Sequence, residues 1–336
     1  MKTDLTHPMF HNNDAARAHL EKLLWPEGPV CPHCGVCDEA TLMKGKTTRA
    51  GLYNCNACRQ PFTVTIGTIF EDSKIALHKW VLGMHLMAAS KKGVSALQLQ
   101  RMLGLGSYRT AWFMAMRIRE ALRMDPMERG KMGGKMGGKG KVVEADETYF
   151  GKVANPSDVR KDGKPFRAND PKHPRAGKIN KGPANKRAVV ALVERGGSAR
   201  VFHVGNADKE TVAKIVMENV APETRLHTDE SRLYHGAGKA FEAHETVKHS
   251  AGEYARGDVH SNSAESFFGV FKRGMTGVYQ HCGEKYLQRY VTEFEFRHNT
   301  RAKLGFNDDD RATLAIKGAA GKRLVLRPPQ GKLSPA

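Results

Sequence analysis

The sequence lacks any apolar run long enough to cross a membrane. Its most apolar stretch, residues 80–89, is about ten residues long and contains His85, whereas a spanning helix needs about 20 residues. The first residues also lack the continuous apolar core of a signal peptide. These absences argue against an integral membrane protein, and we expect a soluble, cytoplasmic protein.

Acidic residues are scarce relative to basic ones. There are 35 Asp and Glu against 54 Lys and Arg, which gives a formal net charge of +19. A charge of this size concerns partners and not the fold. Nucleic acid is the favoured partner, because each neutralised phosphate releases counterions and adds affinity. An anionic membrane is the alternative, but the sequence shows neither an amphipathic basic helix nor a lipidation signal.

Cysteine is also scarce, and five of the six cysteines fall between positions 31 and 58, which excludes a secreted disulfide framework. The pairs Cys31-x2-Cys34 and Cys55-x2-Cys58 are separated by 20 residues. This spacing can place four thiolates around one zinc ion, and we predict a structural zinc ribbon. Cys37 could compete as a ligand but is left out, and unrelated buried or redox cysteines are the alternatives.

The length of 336 residues predicts two or three domains. A Gly- and Lys-rich stretch with the composition of a flexible basic linker divides a helical part from a part rich in strands. The predicted segments are an N-terminal helix and zinc ribbon (1–70), a helical domain (71–129), the linker (130–141), a strand-rich domain (142–305) with a basic insertion (151–187), and a C-terminal tail (306–336).

After the linker, short runs of β-branched and apolar residues predict strands. The first strands follow one another like hairpins and later ones alternate with helices, which favours a mixed α/β sheet. The predicted strands lie at 141–150, 187–194, 199–205, 224–230 and 244–249, and the predicted helices lie at 208–220 and from about 260 onward.

One segment of the helical domain has the layout of a helix-turn-helix. Ser95 would cap a first helix, and residues 104–106 would make the turn. Ser107 would cap a second helix, and its first residues, Tyr108 and Arg109, could then enter a major groove. Any short helical hairpin is the alternative interpretation.

Acidic residues end two of the predicted strands, where apolar residues are expected. Asp146 ends the first sheet strand and Asp229 the fourth, while Glu265 lies on the helix that follows. Three carboxylates that converge from such positions can hold two divalent cations, and oxygen ligands favour Mg²⁺ or Mn²⁺. The alternatives are a turn at Asp229 and a capping box formed by Asn262 and Glu265.

The order of these acids, with 35 residues between Asp229 and Glu265, resembles the catalytic domain of DDE transposases and retroviral-type integrases. With the cysteine pairs, the motifs "VEADETYFGK", "HTDESRLY" and "NSAESFFGVFKRG" look like those of bacterial insertion-sequence transposases that join a zinc ribbon to a DDE domain. The resemblance covers about residues 20–305. It implies a multidomain α+β chain with an N-terminal zinc ribbon, a helix-turn-helix domain and an α/β RNase H-like (retroviral integrase-like) mixed-sheet domain.

The resemblance also implies site residues and cofactors. Asp146 and Asp229 match the first two acids, and the third place falls to Glu265, favoured for its charge, or to Asn262. Two Mg²⁺ or Mn²⁺ ions would be bound there for DNA cleavage and strand transfer at terminal inverted repeats.

Basic residues further along the same helix are expected to contact DNA. Lys272, which Arg273 follows, matches a residue near the scissile phosphate. A homo-oligomer is expected on DNA, because two element ends must be brought together, and the DNA-bound protein would be associated with the nucleoid. Glu147 is interpreted as a supporting or unrelated residue.

Two other functions stay open from the sequence. A DNA-binding regulator derived from a transposase would bind DNA regardless of Asp146 and Asp229. A structure-selective nuclease with an RNase H-like fold would cut DNA but never join a 3′ end to a new target.

Overall fold

The computed structural model describes residues 4–123, 134–152, 186–253 and 255–325. The chain divides into two compact units, Met1–Met124 together with Thr300–Ala336, and Asp125–Asn299. Among the described residues, no helix is long and apolar enough to cross a membrane. The predicted insertion at 151–187 falls outside the described residues except at its two ends.

The described helices and strands are numbered in chain order. The helices are α1 (Asn13–Leu24), α2 (Leu77–Ala89), α3 (Ala96–Leu103), α4 (Tyr108–Ala121), α5 (Lys209–Asn219), α6 (Asn262–Gly274), α7 (Leu287–Asn299) and α8 (Asp308–Lys317). The strands are β1 (Ala40–Leu42), β2 (Tyr53–Cys55), β3 (Pro61–Phe62), β4 (Val142–Phe150), β5 (Arg187–Glu194), β6 (Ala199–Val204), β7 (Arg225–Asp229) and β8 (Ala243–Val247).

The first unit contains helices from both ends of the chain. Helix α8 packs against α1, α2 and α4, so residues 306–325, which were expected to belong to a tail, are an integral part of this unit. The N–H of Ile69 donates to Ala319 O (3.3 Å), and that of Gly321 donates to Gly67 O (2.8 Å). Helix α1 begins at Asn13, because the Asn12 side chain accepts from the N–H groups of Asp14 and Ala15 and caps it.

Helix α3 begins and ends where the sequence predicts, and helix α4 begins where the sequence predicts. The Ser95 hydroxyl accepts from the N–H of Gln98 (3.1 Å), and Gly104 ends α3 in the left-handed region at φ 57°. The Ser107 hydroxyl then accepts from the N–H of Thr110 (3.1 Å) to start α4. A DNA-binding role for this helix pair stays a prediction.

The second unit is built on a mixed sheet with the strand order β6-β5-β4-β7-β8. Strand β5 pairs antiparallel with β4 and β6, while β4, β7 and β8 are parallel to one another. The mixed α/β sheet expected from the sequence is therefore confirmed. Every predicted strand is present, with ends that differ by at most two residues.

The sheet has a helix on each face. On one face, Val143 and Leu226 pack with Val216 of α5 in the main hydrophobic core. On the other face, Phe150 packs against Phe271 of α6, with ring centroids 5.7 Å apart. Alternating side chains of β4 therefore belong to two different layers.

Helix α7 covers the outer edge of β6 with its side chains. The Asn299 amide both accepts from and donates to the backbone of Ala199 (2.6 and 2.9 Å). The Gln288 amide accepts from the N–H of His203 (2.7 Å), and Glu295 accepts from that of Val201 (3.2 Å). These contacts occupy backbone groups that an uncovered edge would offer to another strand.

The described part of the predicted linker, residues 134–141, is anchored to the sheet unit. Met136 is 4% exposed and belongs to the core of that unit. Its N–H donates to Asn219 O (2.7 Å), and its carbonyl accepts from the N–H of Ala221 (2.9 Å). This segment therefore differs from the flexible linker that its composition predicts, because one apolar side chain and two backbone hydrogen bonds hold it in place.

The anchoring predicts different effects of alanine at two glycines of this segment. Both Gly137 (φ 83°) and Gly140 (φ 74°) are left-handed, but only at Gly137 would a Cβ collide with Thr224, 2.2 Å from Oγ1. Gly140→Ala should cost about 1 kcal/mol from backbone strain, and Gly137→Ala about 3 kcal/mol because the clash is added. Urea unfolding of both variants measures this, and equal costs would contradict the anchoring.

Candidate metal centres and active site

Four cysteines of the first unit come together as the sequence predicts. The sulfurs of Cys31, Cys34, Cys55 and Cys58 all lie within 4.8 Å of one another. The Cys31–Cys58 and Cys34–Cys55 sulfur pairs are each 3.6 Å apart. Zinc–sulfur bonds of about 2.3 Å at tetrahedral angles put sulfurs about 3.8 Å apart, so these residues fit a zinc ion. Four thiolate ligands leave no open position, and such a site is structural.

Both cysteine pairs lie in the same kind of tight turn. Gly35 and Arg59, which follow the second cysteine of each pair, have positive φ values of 76° and 58°. Their N–H groups donate to the carbonyls of Cys31 and Cys55, both at 2.9 Å. The N–H of Cys58 donates to Cys55 Sγ (3.5 Å). This hydrogen bond is the largest of several contributions that lower the pKa of the Cys55 thiol to about 7, which favours the thiolate that binds metal.

The hydrophobic core beside the cysteines is small. The rings of Trp25, Tyr53 and Phe62 pack together with centroids 5.5 to 5.8 Å apart. A metal ion replaces much of the packing that so small a module lacks. Cys37 is exposed and is not part of the four-sulfur group. Its sulfur lies 3.8 Å from the carbonyl oxygen of Glu27.

In the second unit, Asp146 and Asp229 lie on the same face of the sheet. Strands β4 and β7 are parallel, with Glu144 opposite His227. Two residues further on, the same register brings Asp146 level with Asp229, the last residue of β7. Both carboxylates therefore belong to the face that α6 covers.

The surroundings of Asp146 disfavour its negative charge. Burial, reinforced by the nearby carboxylates of Asp229 and Glu147, raises the pKa of Asp146 to about 7. Glu265 acts in the same direction, which places it within electrostatic range. The N–H of Glu147 donates to Asp146 Oδ1 (2.8 Å) and opposes the shift only in part. Bound cations would favour the ionised carboxylate at this position.

Glu147 supports the loop that follows Asp229. The Tyr234 hydroxyl donates to Glu147 Oε2 (2.8 Å), and the Ser231 hydroxyl lies 3.4 Å from Oε1. The N–H of Ser231 in turn donates to Asp229 Oδ1 (2.9 Å). Burial raises the pKa of Glu147. The two carboxylate oxygens of Glu147 face these hydroxyl donors. This arrangement fits the interpretation of Glu147 as a supporting residue.

Helix α6 presents the remaining predicted residues. The side chain of Glu265 in the first turn is 45% exposed, and its Oε1 accepts from the Ser261 hydroxyl (3.1 Å). Asn262 is the first residue of the helix, and no side chain caps the helix from the N-cap position at Ser261. The capping-box alternative is therefore wrong. Lys272 and Arg273 are exposed in the last turn.

The three predicted acids are less closely grouped than the cysteines. Within the described residues, the four cysteines are the group of three or more potential ligands that lie within 4.8 Å. The oxygens of Asp146, Asp229 and Glu265 do not all meet that limit. Carboxylate oxygens are nonetheless the donor set that Mg²⁺ and Mn²⁺ prefer, so the residues fit these cations chemically.

The residues predicted to contact DNA from the helix pair lie at the surface. Tyr108 and Arg109 begin α4, and both are exposed, Tyr108 by 54%. An exposed aromatic ring beside a guanidinium group can contact bases or the DNA backbone.

Two charged residues near the candidate site were missed at the sequence level. Glu144 is fully buried on β4, and Arg195, from the turn after β5, pairs with it at 2.9 Å. A signal for Glu144 is present in the sequence. It is an acid between the apolar residues Val143 and Ala145, two residues before Asp146 and so on the same face of the strand. Arg195 stands in a turn, where a charged residue is ordinary.

Two family models match this chain. Residues 137–299 match the ISXO2-like transposase domain, and residues 11–61 match the transposase zinc-ribbon domain. The two domains together make up more than half of the sequence and define a DNA transposase. The chain belongs to the IS1595 family of insertion-sequence transposases, which carry a zinc ribbon before the transposase domain.

One curated relative is an uncharacterised protein in transposable element ISH50 of Halobacterium salinarum. It is 27% identical over 293 residues, which make up 85% of this chain and 90% of the relative. Among solved structures, the Mos1 transposase paired-end complex with left transposon end matches at 11% identity. That match covers 72% of this chain and 80% of the other with a TM-score of 0.25, which is too low to indicate a shared fold.

The zinc site predicts that one cysteine substitution removes the metal and a neighbouring one does not. Cys34→Ser should reduce bound zinc from about one ion per chain to nearly none, because three thiolates hold zinc far more weakly than four. Cys37→Ser is the matched control and should keep the zinc. Atomic emission on the purified proteins measures both, and loss of zinc from Cys37→Ser would contradict the assigned ligand set.

The raised pKa of Asp146 predicts how stability depends on pH without added Mg²⁺ or Mn²⁺. A carboxyl group whose pKa is higher in the folded state stabilises the fold when protonated, so this contribution is lost as pH rises from about 4 to about 7. Asp146→Asn should therefore raise stability at pH 8, by at most about 4 kcal/mol for a shift of this size.

The control for this prediction is a carboxyl group whose pKa is shifted in the opposite direction. Asp208 caps α5, and the N–H of Thr211 donates to it and lowers the pKa of its carboxyl group. Asp208→Asn should lower stability at pH 8. Thermal unfolding at pH 5 and pH 8 measures both variants, and an Asp146→Asn protein that is no more stable than wild type at pH 8 would contradict the shift.

Proposed function

We propose that the second unit is an RNase H-like domain that catalyses Mg²⁺- or Mn²⁺-dependent DNA cleavage and strand transfer at the terminal inverted repeats of the insertion sequence. The strand order β6-β5-β4-β7-β8, with only β5 antiparallel to the others, supports this fold. The observation that carries the proposal is the register of β4 and β7, which puts Asp146 and Asp229 side by side on the face that α6 covers.

Asp146, Asp229 and Glu265 would hold two divalent cations, with Asn262 as the alternative to Glu265. Such ions supply Lewis-acid stabilisation of the attacking and leaving oxygens of a phosphodiester. Asp229 is the last residue of β7, whereas Asp146 lies in the middle of β4 and not at the strand end expected from the sequence. The pairing of β4 with both β5 and β7 fixes the backbone at this point. Glu265 is half exposed on α6, so DNA and cations can reach it from solvent.

The chemistry would use water and DNA as its nucleophiles. Water attacks a phosphodiester at the element end, the P–O3′ bond breaks, and the 3′-hydroxyl that leaves then attacks target DNA. Each step forms one P–O bond and breaks one, without a covalent protein intermediate. Burial and the nearby Glu147 raise the pKa of Tyr149, which argues against a phenolate of that residue as a nucleophile.

The DNA contacts would come from both units. Exposed Lys272 and Arg273 on α6 would bind the phosphate backbone beside the carboxylates. Helices α3 and α4 would act as a helix-turn-helix, with Tyr108 and Arg109 against the element-end sequence. A homo-oligomer follows from the reaction, because two element ends must be held together for strand transfer.

A cleavage and strand-transfer assay on DNA that flanks the gene tests the proposal. With Mg²⁺, wild type should yield joined products, and Asp146→Asn and Asp229→Asn should lose about 1,000-fold in rate while still binding DNA. Glu230→Gln is the matched control, because its side chain contacts Ser250 and not the other acids, and it should stay active. Comparing Glu265→Gln with Asn262→Ala decides the third ligand.

Two other results have clear meanings. Equal, metal-independent DNA binding by all variants with no products would show a regulator. Metal-dependent cleavage with no joined product from wild type would show a nuclease.

A further inference from the structure

Glu144 is the one carboxylate of β4 that is entirely shielded from solvent, with 0% exposure. It lies two residues before Asp146 and on the same face of the strand. Burial of an ionised carboxylate is costly unless it is paired and hydrogen-bonded. The partners of Glu144 therefore reveal what its position is used for.

Both oxygens of Glu144 accept hydrogen bonds from the first turn of α6. The Oε2 atom accepts from the N–H of Ser263 (2.6 Å) and the N–H of Ala264 (3.1 Å). The Oε1 atom accepts from the Ser263 hydroxyl (3.0 Å). Ser261, at the N-cap position, provides no side-chain cap. A strand residue thus caps this helix, and its negative charge lies at the positive end of the helix dipole.

Arg195 completes the arrangement from the turn after β5. Its Nε and Nη2 donate to Glu144 Oε1 at 3.0 and 2.9 Å. The same guanidinium donates to Asp258 O (2.8 Å) and His260 O (3.2 Å) in the segment that leads into α6. The ion pair therefore fixes both the first turn of the helix and the chain that enters it.

We propose that Glu144, held by Arg195, is a positioning residue that sets the place of Glu265 relative to Asp146. The next residue after Ala264 is Glu265, so the anchored turn is the one that carries the third acid. Glu144 itself is not available to a cation, because nitrogen and hydroxyl donors occupy both of its oxygens. The inference rests on the proposed function for its consequence, but the anchoring can be measured separately.

Glutamine is an informative replacement at this position. One oxygen of Glu144 faces two backbone N–H groups and the other faces a guanidinium group, so the amide nitrogen of glutamine meets a donor in either orientation. Glu144→Gln keeps the shape but breaks one side of the arrangement. Glu144→Asp keeps the charge on a shorter side chain, and provides a second variant should Glu144→Gln not fold.

The control is another buried carboxylate of the same unit. Glu293 on α7 is also 0% exposed, pairs with Arg297 and accepts from the Tyr279 hydroxyl (2.7 Å). Glu293→Gln should destabilise the unit without touching the first turn of α6. Comparison with this control distinguishes a displaced first turn of α6 from a general loss of stability of the unit.

Hydrogen exchange in the zinc-loaded full chain tests the anchor without DNA or activity. Peptides that cover residues 260–268 should exchange about tenfold faster in Glu144→Gln than in Glu293→Gln, because a charge-assisted cap is lost only in the first. Glu144→Asp should lie between wild type and Glu144→Gln. Equal exchange of these peptides in both glutamine variants would overturn the anchoring.

A Mn²⁺ titration tests the consequence for the site. Glu144→Gln should need severalfold more Mn²⁺ than Glu293→Gln, both for the rise in unfolding temperature and for half-maximal DNA cleavage. An unchanged Mn²⁺ requirement at lowered stability would reduce Glu144 to a structural role and overturn the proposal. If wild type binds Mn²⁺ but never cleaves DNA, the proposed function fails, while the thermal shift still decides the positioning role.

Discussion

The parallel pairing of β4 with β7 is the constraint on which the candidate active site depends. Its register joins Val143 to Leu226, and both side chains are buried in the core beneath α5. Asp146 and Asp229 follow at equal distances along their strands and lie level on the opposite face. A slip of one residue would move one acid to the other face and an apolar side chain out of the core. The hydrophobic pattern of the core therefore determines where the carboxylates meet.

The three acids of β4 differ in how their charges are compensated. Glu144 is paired with Arg195 and caps a helix, and Glu147 accepts from the Tyr234 hydroxyl. Among the described residues, no lysine or arginine pairs with Asp146, and the pKa of its carboxyl group is raised to about 7. Uncompensated charge in a protein interior is a cost that persists at functional sites. Asp146, whose charge is the least compensated of the three, is thus the acid best suited to receive a metal ion.

The sequence was informative wherever the determining contacts are local. Cys31 and its three partners were predictable because their spacing within tight turns specifies the ligand set, and the strands followed from short-range hydrophobic patterns. The role of Glu144 was not predictable, because Ser263 and Ala264 stand 119 and 120 residues away along the chain. Composition wrongly predicted a flexible linker around Met136, because this one apolar residue anchors the Gly- and Lys-rich stretch to the core.

Ligand chemistry distinguishes the zinc site of the first unit from the cation site proposed for the second. The first unit offers four thiolates within 4.8 Å, soft ligands that select zinc and leave it no open position. The proposed site of the second unit offers carboxylate oxygens, which suit Mg²⁺ and Mn²⁺ and bind them weakly enough for exchange with water. Zinc could therefore stay in the ribbon as part of the fold while the cations proposed for the second unit bind and dissociate. Because the ligand sets differ in kind, neither site needs to exclude the other's metal by shape alone.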